Sequence, residues 1–144
     1  GYPSEVDERE ILRRRKERRR DEFALQAVTQ AEGLLTMRES IEYVTVDEDI
    51  ERYIVELTRA TRTHRHVAVG ASPRGALALL KLSRSWAAMN ERDYVLPDDV
   101  KHFVHAALSH CLIMEPDLWT ERRAADDVID ELLRSVSVPV IEGV

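Results

Sequence analysis

Five consecutive residues, Gly70-Ala71-Ser72-Pro73-Arg74, combine types that can hold an anion. Serine is a strong helix N-cap, and proline suits the first helical position because its missing N–H costs nothing there. A helix is therefore predicted to start at Pro73. Arg74 then stands in its first turn, at the positive end of the helix dipole and beside backbone N–H groups expected to be free. A guanidinium fork at such a place, after a glycine that permits close approach, suits a terminal phosphate. Many helices begin with Ser-Pro and carry a surface arginine, so the stretch alone leaves a purely structural role open.

Other chemistry is sparse. The chain contains no GxxxxGK[ST] loop, no GxGxxG, no HExxH and no GxSxG. Of its histidines, His64 and His66 share a loop, while His102, His105 and His110 fall on or near one predicted helix. His102 and His105 flank Phe103 and Val104 without a cysteine or carboxylate cluster nearby, so no metal site is expected. Asp98-Asp99 and Asp126-Asp127 stand at predicted helix starts, where capping and the dipole explain them without a general acid–base role. Cys111 is the single cysteine, which excludes an intramolecular disulfide and fits a reducing compartment.

The elements that must position Arg74 are helical. Only 5 Gly and 5 Pro occur in 144 residues, so uninterrupted elements are expected, and 33% charged with 44% hydrophobic residues excludes a disordered or low-complexity chain. No apolar run approaches the roughly 18 residues of a membrane span, and no leader opens the chain, so a soluble, cytoplasmic protein is expected. The start Gly1-Tyr2-Pro3, without Met, reads as a piece of something larger.

Ser4 and its acidic neighbours predict a first helix from Glu5 to about Arg20, with Val6, Ile11 and Leu12 as its candidates for burial. Thr29-Gln30-Ala31-Glu32 matches a capping box and opens a second, with Leu34, Met37 and Ile41 at helical spacing. Tyr43 to Val46 reads as extended and is stopped by Asp47. Ile50, Tyr53, Ile54 and Leu57 mark a third helix. The fourth runs from Pro73 to about Asn90 and buries Leu79, Leu82, Trp86 and Met89. Tyr94-Val95 is a second extended piece, expected to lie beside the first. The fifth helix starts at Pro97, its stripe Val100, Phe103, Val104, Ala107, Leu108 and Cys111 being the clearest periodicity, with Cys111 as a small buried residue. Ile129, Leu132, Leu133 and Val136 mark a sixth, and Pro139 ends order. The expected fold class is all-α: a bundle of five to six helices with two very short strand segments, over residues 5–138, between a linker at 1–4 and a tail at 139–144.

Charge is uneven. Arg9 to Arg20 holds eight basic and two acidic residues, a net +6 inside a chain of net −6, which leaves −12 elsewhere. Such a run can bind phosphates. No aromatic residue interleaves it to stack on bases, which argues against nucleic acid and for a solvated helix face.

Gly70-Ala71-Ser72-Pro73-Arg74, the Ala/Leu-rich stretch after it, and Arg92-Asp93-Tyr94-Val95-Leu96-Pro97-Asp98-Asp99-Val100 together resemble the C-terminal helical lid of MoxR-type AAA+ ATPases. Leu57-Thr58-Arg59-Ala60-Thr61-Arg62 is similar to the family's LxxATR helix end, and Gly1-Tyr2-Pro3 with Glu8, Glu10, Ile11 and Leu12 to the segment joining the two domains. Three departures stand out: Gly75 for Ala, Glu91 for the Gly before Arg-Asp-Tyr, and Leu96 for the Thr that caps the fifth helix.

The resemblance implies an all-α AAA+ lid. It implies that Arg74 is the sensor 2 arginine, acting with an ATPase domain to couple ATP hydrolysis to lid movement. Pro73, Gly75 and Ile11 are implied to sit near the nucleotide. ATP and Mg2+ are the implied cofactors of the full-length protein, with no tight binding by these 144 residues alone. Implied partners are the chain's own nucleotide-binding domain, neighbouring subunits of a hexameric ring, and a von Willebrand factor A-domain protein served in a chaperone-like role. The rival is a non-enzymatic, histone-fold-like helical module with a basic nucleic-acid-binding helix, which leaves Gly70 to Arg74 without a purpose.

Overall fold

A computed structural model describes residues 1–22 and 25–140. The chain divides into two compact units, Gly1–Leu34 and Leu35–Val144. Of the tail expected at 139–144, residues 141–144 lie outside the described residues.

The first unit carries α1 (Glu5–Arg18). The Ser4 hydroxyl accepts from the Asp7 N–H at 3.3 Å while Asp7 Oδ2 accepts from the Ser4 N–H at 3.2 Å, a closed capping box. Arg19 adopts φ 59° and stops the helix two residues short of the predicted end. No residue of α1 is buried, and Val6, Ile11 and Leu12 are exposed, contrary to expectation. Charge holds the helix instead. Arg13 bridges Glu10 and Glu17 at 2.7 Å each, and Arg14 reaches Glu10 at 2.7 Å. Hydrogen bonds from Arg13, then Arg14, pull the Glu10 carboxyl down to about 2. Arg9, Arg13 and Arg14 of the basic run are thus answered by acids one turn away, and Arg15 by Asp21. Helix α2 (Ala31–Ser40) begins within the predicted box, and Leu34 and Met37 are exposed.

The second unit holds a hydrophobic core among α3 (Glu48–Thr63), α4 (Pro73–Met89), α5 (Pro97–Leu108) and α6 (Ala124–Ser135). Ile50, Tyr53, Leu57, Leu79, Val100, Val104, Leu108 and Ile129 are almost completely buried. On α4 the buried stripe is Gly75, Leu79, Ser83 and Ala87, an i, i+4 ladder mostly of small residues, and α5 is its main neighbour. Met89 lies off that ladder and is 76% exposed, not buried as expected. Leu82 and Trp86 are half-buried, with Trp86 stacked on His102 at 4.4 Å. Helix α5 ends at Leu108, so Cys111 sits in a 3₁₀ turn, half-buried, its thiol donating to the Ala107 carbonyl at 3.5 Å.

The all-α expectation holds, with the strands moved. Ile41–Tyr43 is a 3₁₀ turn, and the two predicted extended pieces do meet, but only in one parallel bridge between Thr45 and Tyr94. Its bonds are Val95 N–H to Thr45 O at 3.0 Å and Thr45 N–H to Asp93 O at 2.7 Å. The strands proper are β1 (Val67–Val69) and β2 (Ile113–Met114), antiparallel, with Val67 opposite Met114 and an irregularity before the Val69–Ile113 pair. Pieces this short carry no readable alternation. Their tertiary pairing makes them strands.

Glu91, just past α4, takes φ 58°, the left-handed region that glycine enters freely. A side chain there costs on the order of 1 kcal/mol. Among the described residues, no helix is long and apolar enough to cross a membrane, and no group of three or more His, Cys, Asp or Glu could hold a metal.

Candidate functional site

The start of α4 has the geometry its residue types predict, with one correction. Ser72 is the N-cap in extended conformation, and its hydroxyl accepts from the Arg74 N–H at 3.3 Å. The Gly75 N–H donates to the Ser72 carbonyl at 2.9 Å, and Pro73 has no N–H. The expected free N–H groups beside Arg74 are therefore already used within the turn. The anion handle is the guanidinium with the helix dipole, not a backbone nest. Arg74 and Pro73 are exposed, and Arg74 makes no ion pair among the described residues. Gly75 is buried, with Leu108 and Ala71 against it: a Cβ there would lie 2.8 Å from Leu108 Cδ2. Ile11 is exposed on α1, in the first unit.

Electrostatics sets this helix apart. Five of the six helices described carry an acid in the first turn, from Glu5 of α1 to Asp126 and Asp127 of α6. Helix α4 carries none, and has Arg74 instead. A cation at a helix N-terminus is unfavourable by a few tenths of a kcal/mol, so α4 keeps a charge that its own stability does not favour.

The backbone ahead of Arg74 is fixed by α3. The buried Thr61 hydroxyl accepts from the Ala71 N–H at 2.9 Å and donates to the Thr58 carbonyl at 2.6 Å. Arg62 Nε donates to the Ala71 carbonyl at 2.8 Å. Gly70 passes so near that an added Cβ would lie 2.7 Å from the Arg62 Cα and N. Neither Thr61 nor Arg62 was singled out by residue chemistry. Their signal lay in the LTRATR helix end, whose spacing says nothing of a turn nine residues on.

The acids at the start of α5 have the structural role expected. Asp99 Oδ2 accepts from the Leu96 N–H at 2.7 Å, the reciprocal half of a capping box whose other half leucine cannot supply. Arg92 closes on the same carboxylate with two bonds, 2.6 and 2.8 Å, and its guanidinium is held more firmly protonated by them. The histidines tie α6 down: His64 pairs with Glu131 at 3.1 Å, and His105 with Asp130 at 3.0 Å. The Ser109 hydroxyl, then His105, lowers the Asp126 carboxyl.

Residues 59–132 match the family model of the AAA lid domain. The chain belongs to that family. The match opens within the LTRATR helix end and contains the whole Arg74 turn. This AAA lid is 34% identical over 97% of its length to YeaC of Bacillus subtilis (strain 168), an uncharacterized protein, of which it covers 43%. It is 31% identical over its full length to the chaperone MoxR1 of Mycobacterium tuberculosis, covering 40% of that protein. A crystal structure from Cytophaga hutchinsonii, of a protein provisionally described as an ATPase, superposes with TM-score 0.86 at 30% identity, over 97% of the lid and 45% of that chain. The lid thus spans less than half the length of these relatives.

Proposed function

We propose that this lid closes over ATP held by a nucleotide-binding domain of the same protein and that Arg74 is its sensor 2 arginine. The observation that carries the reading is the start of α4. It alone among the six described α-helices has no first-turn acid, and it places an exposed guanidinium, unpaired among the described residues, at the positive end of the dipole. Bound ATP·Mg2+ supplies the phosphoanhydride bond whose cleavage drives the cycle. Arg74 contributes a fixed positive charge toward the terminal phosphate, stabilises charge as it redistributes in the transition state, and distinguishes ATP from ADP. Loss of that contact after hydrolysis releases the lid, which rotates against its neighbour domain.

Pro73 holds the turn's backbone, and Gly75 lets α4 close on Leu108 directly under Arg74. Ile11 offers an exposed apolar wall for the base. One relative is named a chaperone, which supports a chaperone-like role; assembly into a hexameric ring and service to a von Willebrand factor A-domain protein belong to the same proposal. In the full-length protein, Arg74→Ala is expected to lower kcat by about 10²-fold or more. Steady-state phosphate release measures this. Unchanged turnover would remove the sensor assignment.

A further inference from the structure

From the contacts of Ala71 we infer that Thr61 and Arg62 are positioning residues that set where Arg74 stands, an inference that rests on the proposed role of Arg74. Ala71 is buried, and consecutive residues of α3 hold both of its backbone polar groups: the Thr61 hydroxyl takes the N–H, and Arg62 Nε reaches the carbonyl. The hydroxyl has no freedom to turn away. Its proton is committed to the Thr58 carbonyl at 2.6 Å, which leaves a lone pair aimed at Ala71.

From Ala71 onward each residue is constrained. Ser72 is closed by its own cap bond and by the Gly75 N–H, Pro73 has a fixed φ, and Gly75 is seated under Leu108. The backbone of Arg74 is thus held on one side by α3 and on the other by α5. Only its side chain is left to move. A charge that must meet a small developing charge gains from such a fixed base, because misplacement near 1 Å costs up to about 10²-fold in rate. The Thr61 hydroxyl acts only through Ala71, which stands three residues before Arg74.

The test is turnover in the full-length protein of Thr61→Val, Thr61→Ser, Arg74→Ala and the Thr61→Val/Arg74→Ala pair. Thr61→Val keeps the shape of the residue and deletes the hydroxyl, and is expected to lower kcat about 10-fold with KM nearly unchanged. Thr61→Ser restores most of the loss. In the Arg74→Ala background, Thr61→Val lowers kcat no further. Arg62→Met, which keeps an apolar stem and deletes the donor, behaves the same way with a smaller loss, and decides the matter should Thr61→Val fail to fold. Wild-type kcat in Thr61→Val, or an equal loss with and without Arg74, overturns the inference while leaving the role of Arg74 intact. Unchanged kcat in Arg74→Ala removes both.

Discussion

Two helices of this domain begin alike, with proline at the first position and an arginine close by, yet they dispose of charge in opposite ways. At the start of α5, Asp99 caps the helix from inside, is 4% exposed, and is neutralised by Arg92 through two short bonds. Nothing there is left for a ligand. At the start of α4, a neutral serine does the capping and Arg74 points its charge outward with no acid in the turn. What sets the start of α4 apart is therefore the charge it leaves unneutralised, not Ser-Pro-Arg alone.

The contrast can be broken at each end. Asp99→Ala strands the Arg92 guanidinium and the Leu96 N–H together, and is expected to cost about 3 kcal/mol in chemical denaturation of the 144-residue chain. Gly70→Ala forces a Cβ against the Arg62 backbone and is expected to cost about 2 kcal/mol by the same measurement. Arg74→Glu has the opposite sign: it gives α4 the acid its siblings carry, and should raise stability by about 0.5 kcal/mol while removing turnover in the full-length protein. A stability loss from Arg74→Glu would mean that Arg74 serves the fold.

How far these features were legible in the sequence depended on their range. The helices of the second unit were legible because burial imposes a period: Ile50, Tyr53, Ile54 and Leu57 all proved buried, as did Val100, Val104, Ala107 and Leu108. Ser72 and Pro73 were legible because capping is a local transaction. Helix α1 was misjudged where apolar content was taken for burial, since its Arg–Glu ladder needs no core. Met89 was misplaced because α4 closes on α5 through small residues, a choice made by the partner helix. The strands β1 and β2, and the hold of Thr61 and Arg62 on Ala71, depend on residues brought together only by the fold. For the site, the arginine was visible and its support was not. The Glu91 departure was visible too, and its meaning came with φ 58°.

On the proposed role, Arg74 meets the terminal phosphate and nothing else on the nucleotide. The direct measurement is the affinity of the full-length protein for ADP and for a non-hydrolysable ATP analogue, by calorimetry, in the wild type and in Arg74→Ala. Arg74→Ala is expected to weaken the ATP analogue by about 10-fold or more, the value of one lost charge-assisted contact, and to leave ADP unchanged. Equal weakening of both nucleotides, or of neither, would contradict it.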